Sequence, residues 1–481
     1  MGNIIGRQEE IEILQRLYES KQAEFLAIYG RRRVGKTYLV TEFFRNKGIF
    51  FEVTGSATAT TKEQLLRFHH EFCGLFKKEG KIKPPKTWEE AFLRLKDAVG
   101  EIQNKQKIVL FFDELPWLAS PKSRFLSALD YFWNRHFSRM PQVLLIVSGS
   151  SASWMIHQIL NHKGGLYGRL SGHLRLRPFT LSEVEQFFLS KGIVLTHKQI
   201  CEIYMVTGGV PKYLSFVKPA TSSAQCIQSL CFIPQSPLLG EFHKLFHSLF
   251  KHPEPHIELI KILATKRQGM ERIELLKAAK LHKSGQSSKT LRELEESDFI
   301  TIIYELGKKS RSAKYVLSDE YSLFYFHWID PVKSSILRGD DSDYWIKQSG
   351  SSQWLIWAGL AFESLCLKHV HKIKDALKIG GVSTQAGYWK SLVRGKKKSE
   401  IDLVIDRADQ CINLCEIKFC NAPYQVSKSY AHELQIKKET FRSMTHTRKA
   451  LFTTLITPYG ATLSPAYLSA VDNQLAIDEL F

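Results

Sequence analysis

The sequence predicts a multidomain α/β protein, and three observations carry that reading. Between residues 22 and 180 short apolar runs alternate with helical stretches, the pattern of a parallel sheet covered by helices. One run leads directly into Gly30-Arg31-Arg32-Arg33-Val34-Gly35-Lys36-Thr37, a full G-x-x-x-x-G-K-[ST] pattern. Near residue 256 the alternation gives way to three short helices and two short strands, and a further mixed region follows from about residue 353. The chain has 481 residues; at roughly 100–200 residues per domain, about three domains are expected.

The apolar runs are 25–29, 48–53, 107–112, 142–147 and 173–177, and the helical stretches between them are 36–44, 61–76, 88–99 and 124–137. Runs that are apolar on both faces suit strands buried on both sides. Residues 182–250 read as mostly helical. Helices near 256–266, 271–279 and 286–297, then strands 299–304 and 314–317 with a basic tip (Lys308, Lys309, Arg311), describe a winged helix-turn-helix. The polar stretch 338–352, which contains Gly339-Asp340-Asp341-Ser342-Asp343, reads as a linker.

Composition bounds the partners. With 44% hydrophobic and 24% charged residues, disorder of the whole chain is excluded. Lys+Arg exceed Asp+Glu by 67 − 48 = +19, which favours a polyanionic partner such as nucleic acid. The N-terminus meets Arg7 before any apolar core and cleavage site, and Gly6 stands where myristoylation wants Ser or Thr. No uninterrupted apolar stretch reaches membrane-spanning length, so no span is expected. Eight scattered cysteines without paired C-x-x-C spacing suggest structural thiols in a reducing cytoplasm.

Loop 30–37 carries the strongest chemical signal. Glycines let successive N–H groups turn inward around phosphate oxygens, and the following helix adds its positive end. In this pattern Lys36 reaches the β- and γ-phosphates and the Thr37 hydroxyl ligates Mg²⁺, with Arg31, Arg32, Arg33, Val34 and Tyr38 completing the nucleotide-binding stretch. The run 108–112 ends in Asp113-Glu114: Asp113 would hold Mg²⁺ through water, and Glu114 would orient and polarise the attacking water. The run 143–147 ends in Ser148-Gly149-Ser150. If that strand lies between the other two, Ser148 or Ser150 faces the γ-phosphate. Arg169 is a candidate guanidinium for the same phosphate, in cis or from a neighbouring subunit.

Together with Gly208-Gly209-Val210-Pro211-Lys212-Tyr213-Leu214 and the opening Ile5-Gly6-Arg7-Gln8-Glu9-Glu10, these residues resemble the archaeal-type P-loop ATPases of the AAA+ and STAND groups. The resemblance implies ATP and Mg²⁺ as cofactors, with ATP over GTP resting on it alone. It also implies a helical lid, with Ile5, Gly6, Arg7 and Pro211 in the nucleotide pocket. The segment from Tyr315 to Trp328 resembles the one that closes the winged helix in those proteins. The implied domains are 1–180 (P-loop core), 181–250 (lid), 251–337 (winged helix) and 353–481, a region similar to restriction endonucleases.

In that last region Ser399-Glu400-Ile401-Asp402-Leu403-Val404-Ile405 and Ile412-Asn413-Leu414-Cys415-Glu416-Ile417-Lys418-Phe419 read as adjoining strands. Asp followed by Glu-x-Lys resembles the PD-(D/E)-x-K nuclease core, with Ile401 where the pattern has Pro. Strand alternation puts Glu416 and Lys418 on one face. Asp402 and Glu416 would hold Mg²⁺, and Lys418 would help activate water. Glu363 matches an acidic residue that relatives carry upstream. Either Gln435 or Lys437 would complete the pocket, and Arg394, Lys396, Lys397 and Lys398 would track a phosphate backbone. Lys289 and Arg292, near the start of helix 286–297, are candidate DNA contacts.

The expected function is ATP hydrolysis coupled to a C-terminal module that binds or cuts nucleic acid, DNA favoured. The alternative is a switch in which ATP binding controls assembly, including homo-oligomers, or an effector domain. A Mg²⁺ nuclease gated by ATP is a third reading.

Overall fold

The computed structural model describes residues 4–76, 82–102, 106–161, 166, 168–304, 313–341, 343–391 and 399–481. The chain divides into two units at Pro178/Phe179.

The first unit is built on five parallel strands: β1 (Glu24–Tyr29), β2 (Ile49–Thr54), β3 (Ile108–Asp113), β4 (Val143–Gly149) and β5 (Gly172–Arg175). Their order is β2-β3-β4-β1-β5. Alternate residues serve opposite faces. Phe25 and Ala27 join one apolar cluster with Leu110, Phe112 and Leu145, while Leu26 and Ile28 join another with Val109, Phe111 and Ile146. Both faces are covered, so the strands are apolar throughout, as read from the sequence. The order also places β4 between β1 and β3, so the loops leaving all three strands open side by side at one edge of the sheet. That is where open α/β sheets hold ligands.

The second unit begins with helices Leu181–Ser190 and His197–Thr207, each started by a Thr capping box (Thr180 with Glu183, Thr196 with Gln199). Helices Glu254–Thr265, Arg272–Ala278 and Gly285–Glu296 follow, with β7 (Ile300–Ile303) and β8 (Lys314–Leu317) after them. A two-residue strand that precedes both, β6 (Met270–Glu271), completes an antiparallel sheet of order β6-β8-β7. Two residues carry no periodicity, so sequence reading passes over such a strand. The basic tip with Lys308, Lys309 and Arg311 lies outside the described residues.

Stretch 338–352 is not the linker its polarity suggests. Helix Tyr344–Gln348 forms there and buries Trp345 completely. The Trp345 ring stacks on Phe232 at 5.3 Å and meets Phe324, Trp328 and Trp354 edge-on, while its backbone N–H reaches the Gln228 side chain at 2.8 Å. One aromatic anchor outweighs the polar residues around it. The next helix starts at Ser352, where Ser351 caps it through Trp354 N, and it ends at Lys368.

The last sheet has the order β13-β12-β11-β10-β9, with β9 (Thr384–Lys390), β10 (Glu400–Arg407), β11 (Cys411–Ile417), β12 (Ala450–Ile456) and β13 (Asn473–Leu475). β9, β10 and β11 are antiparallel neighbours, whereas β11, β12 and β13 pair in parallel. Helix Lys428–Thr445 makes the crossover from β11 to β12. No helix among the described residues is long and apolar enough to cross a membrane.

Trp345→Ala should cost about 3–5 kcal/mol, measured by denaturant unfolding, because it empties a closed aromatic cage. A change below about 1 kcal/mol would return this stretch to the status of a linker.

Candidate functional site

At the edge of the first sheet, Gly30 leaves β1 with φ 148°, and a Cβ there would stand 2.2 Å from the Leu176 carbonyl oxygen. Arg33 holds a left-handed φ of 73° inside the loop. Helix Lys36–Phe44 then starts directly from Gly35. Lys36 is buried, and its Nζ donates to Gly30 O, Arg31 O and Ser150 Oγ, each at 3.0 Å. Burial lowers its pKa to about 8; Glu114 and Asp113 oppose that fall, and Arg32 adds to it.

Asp113 closes β3 and is 2% exposed. A carboxylate so placed needs donors. Thr37 Oγ1 supplies one at 2.6 Å and Ser148 Oγ supplies another. Oxygen donors converging in this way suit a hard divalent cation, which takes one or two carboxylates and otherwise waters and phosphate oxygens. Glu114 has φ 49°, unusual for a side-chain-bearing residue, and the bend aims it across the sheet edge to Ser150, whose N–H reaches Glu114 Oε2 at 3.2 Å and whose hydroxyl meets Oε1.

The strand order therefore separates the two serines that the sequence left as alternatives. Ser148 is fully buried and serves Asp113, whereas Ser150 joins Lys36 to Glu114. Arg7, at a left-handed φ of 60°, is buried and donates to Arg177 O at 2.7 Å and Val34 O at 3.4 Å, which ties the opening segment with Ile5 and Gly6 to the loop. Arg31 and Val34 are buried, while Arg32, Thr37 and Tyr38 are open to solvent. Arg169 is exposed. Pro211 opens the four-residue helix Pro211–Leu214 of the second unit.

A second constellation forms on β10 and β11. Lys418 Nζ stands 3.7 Å from both Asp402 Oδ2 and Glu416 Oε2. Asp402 Oδ2 also accepts the Ile417 N–H at 2.8 Å, which locks β10 to the end of β11. Glu416 is 2% exposed; its Oε2 meets Lys437 Nζ at 2.7 Å and Tyr430 Oη at 3.4 Å, whereas its Oε1 is buried without a hydrogen-bond partner. Burial, then Asp402, push the Glu416 carboxyl up against the pull of Lys437 and Lys418. Glu363, on helix Ser352–Lys368, is pushed up to about 8 by burial and by Asp402. An acidic, buried pocket with one orphaned carboxylate oxygen fits a cation. Among the described residues no group of three or more His, Cys, Asp or Glu is disposed to hold a metal, so a cation here would rest on a carboxylate pair.

Lys437 is the helix residue that completes this pocket, while Gln435 turns away to Ser469 O. Tyr430 was not anticipated; a tyrosine in a helix carries no signal until the crossover brings it over the sheet. Lys289 and Arg292 are exposed, and Lys289 lies 3.8 Å from Glu293. Arg394, Lys396, Lys397 and Lys398 lie outside the described residues.

Residues 4–217 match a family described as an ATPase domain predominantly from Archaea, and residues 325–434 match one of archaeal and bacterial proteins of unknown function. An uncharacterised protein of Methanocaldococcus jannaschii is 27% identical over 405 residues, 83% of either chain. An uncharacterised ATP-binding protein of the same organism is 47% identical over 45 residues, 9% of this chain and 76% of its own. Among solved structures, a Walker-type ATPase of Pyrococcus abyssi aligns with TM-score 0.46 at 18% identity, covering 67% of this chain and 96% of its own. The Aeropyrum pernix ORC2 protein in its ADPNP–ADP complexes aligns with TM-score 0.43 at 13% identity, covering 70% and 96%. The chain thus carries an ATP-binding ATPase domain of the archaeal type.

Proposed function

We propose that the chain is a Mg²⁺-dependent ATPase whose cycle drives a C-terminal module acting on nucleic acid, DNA favoured, in a reducing cytoplasm. The observation that carries the C-terminal half is the meeting of Asp402 on β10, Glu416 on β11 and Lys418 directly after β11, with one buried carboxylate oxygen left over. We keep the divisions 1–180, 181–250, 251–337 and 353–481 as part of this reading. The three helices with the sheet β6-β8-β7 support a winged helix, in which Lys289 and Arg292 would meet phosphates.

In the ATPase domain, Thr37 and Asp113 would hold Mg²⁺, and Lys36 would exchange its loop carbonyls for phosphate oxygens. Glu114 would orient the attacking water and take its proton, released for that task when Ser150 turns toward phosphate. In the C-terminal module, Asp402 and Glu416 would hold a second Mg²⁺, which supplies Lewis-acid polarisation and a more acidic water. Lys418 would stabilise charge on a phosphodiester, and Glu363 would hold or release a proton beside it.

Coupling has a physical route within the second unit. Helix His197–Thr207 runs into Gly208-Gly209-Val210-Pro211 and packs on helix Ser352–Lys368, which bears Glu363. Lys368 Nζ grips both Glu320 oxygens at 2.6 and 2.8 Å, and a Cβ on Gly208 would stand 2.8 Å from Glu320 Oε2. A rigid helix pinned in this way carries any shift of the glycine turn to Glu363.

One observation favours the alternative of a nucleotide switch that could act through homo-oligomers. Lys437 and Lys418 already pair with Glu416 and Asp402, so these carboxylates have cationic partners within the chain. ATP turnover with and without DNA, set against particle size by light scattering with ATP, separates the two. DNA-stimulated turnover supports the motor reading, and slow turnover with ATP-driven assembly supports the switch.

Lys36→Ala should abolish ATP turnover, and Glu114→Gln should lower kcat about 10²–10⁴-fold while ATP stays bound. Parent-like turnover by Lys36→Ala would remove the assignment. Asp402→Ala and Glu416→Ala should each end Mg²⁺-dependent plasmid nicking at unchanged ATP turnover; nicking that survives both excludes them as its catalysts.

A further inference from the structure

His197 opens helix His197–Thr207, and both of its ring nitrogens face carboxylates. Nδ1 stands 2.5 Å from Asp478 Oδ1, and Nε2 stands 3.0 Å from Glu185 Oε1. Glu185 belongs to helix Leu181–Ser190, whereas Asp478 lies 281 residues beyond His197, in a 3₁₀ turn over Ile477–Leu480. The Phe481 ring stacks on the imidazole, with centres 3.9 Å apart and an interplanar angle of 18°. None of these residues belongs to a motif read from the sequence.

A ring gripped at both nitrogens responds to its own protonation. A neutral imidazole has one N–H, so one of its nitrogens presents a lone pair to a carboxylate oxygen. The imidazolium donates at both positions and answers both carboxylates. Burial opposes that charge, but the hydrogen bonds to Asp478 and Glu185 and the charges of both outweigh it and hold the His197 pKa above its ordinary value. The positive end of the helix, where His197 stands, also works against the cation. The other charged groups on the surrounding elements have partners of their own. Lys198 pairs with Glu202, and Lys372, on helix Val370–Ala376, donates to the Phe481 carbonyl oxygen. Glu479 accepts the Ala476 N–H at 2.7 Å. The Cys201 thiol, one helical turn from His197, is pushed well up by burial.

The turn follows β13 directly and drives Ile477 and Leu480 into the core, at 2% and 0% exposure. Those two side chains keep it seated at any pH, and the histidine sets how often it lifts. Helix His197–Thr207 in turn runs into Gly208-Gly209-Val210-Pro211 and packs on helix Ser352–Lys368. We infer that His197 is a proton-operated clasp: with both ring nitrogens protonated it bridges Glu185 to Asp478 and holds the turn Ile477–Leu480 on helices Leu181–Ser190 and His197–Thr207, and loss of one proton loosens that turn. The clasp depends on neither the ATPase nor the nucleic-acid reading.

The sign of the effect follows from linkage. A histidine whose pKa is raised in the seated state gives its stabilisation in full below the ordinary value of about 6.5, and loses it as pH rises through the raised value. The size is fixed by the same quantity: a pKa higher by about 1 in the seated state makes lifting about tenfold more frequent at high pH than at low pH.

The test uses the full chain without nucleotide, from about pH 5.5 to about pH 8.5. NMR of protein labelled at histidine Cε1 gives the His197 pKa, with His197→Gln identifying the resonance. Hydrogen exchange of residues 477–481, corrected for the intrinsic pH dependence of exchange, gives the lifting equilibrium. His197 should titrate above about 6.5. Protection of the turn should fall with the same midpoint, by the factor that the pKa difference sets, while protection of helix Glu254–Thr265 stays level. Asp478→Asn alters a side chain that is 71% exposed, so the fold tolerates it; it should lower the His197 pKa and shrink the step in protection. His197→Gln donates to one carboxylate only and should leave the turn less protected, with no step. A parent His197 that titrates at or below about 6.5 would overturn the inference. So would a step that persists in His197→Gln, or turn protection that stays level while His197 titrates.

Discussion

Asp113 is a carboxylate almost fully withdrawn from water, and the first unit is arranged around the donors it requires. They come from two chain segments far apart in sequence, Thr37 after β1 and Ser148 at the end of β4. Both can reach Asp113 only if β4 is inserted between β1 and β3. The same insertion brings Ser150 against Lys36 and Glu114. One strand order thus satisfies a buried acid and assembles a cation, a carboxylate and a hydroxyl at the mouth of a phosphate-binding loop. Loss of the Thr37 or Ser148 hydroxyl would leave Asp113 short of a donor before any chemistry is considered.

The acidic pocket of the second unit solves the opposite problem. Its carboxylates face one another, and burial disfavours their charged forms. Lysines from β11 and from the crossover helix offset the repulsion, and a carboxyl pushed up to about 8 at Glu363 relieves more of it. This balance is incomplete: one oxygen of Glu416 stays without a hydrogen-bond partner among the described residues.

Periodicity made the strands and the phosphate loop readable, because a strand buried on both faces declares itself within six residues. Strand order was not readable, since pairing depends on contacts a hundred residues apart, and so Ser148 and Ser150 could not be told apart in advance. Gln435 and Lys437 posed a similar choice. Two positions along a helix point in opposed directions, so the sequence says that only one faces the sheet without saying which. Trp345 was hidden for another reason: its neighbours are polar, and a lone anchor has no period.

The turn before β6 is pinned to β9 and β10 by Gln268, which bridges Glu400 and Lys390. Helix Ser352–Lys368 carries Trp357, whose ring lies under Arg267, and Glu363, whose carboxyl is pushed up by burial and by Asp402. The far end of this helix is held by Glu320 beside the Gly208 turn. A small rotation of the helix would therefore move the ring under Arg267 and the carboxyl beside Asp402 at once.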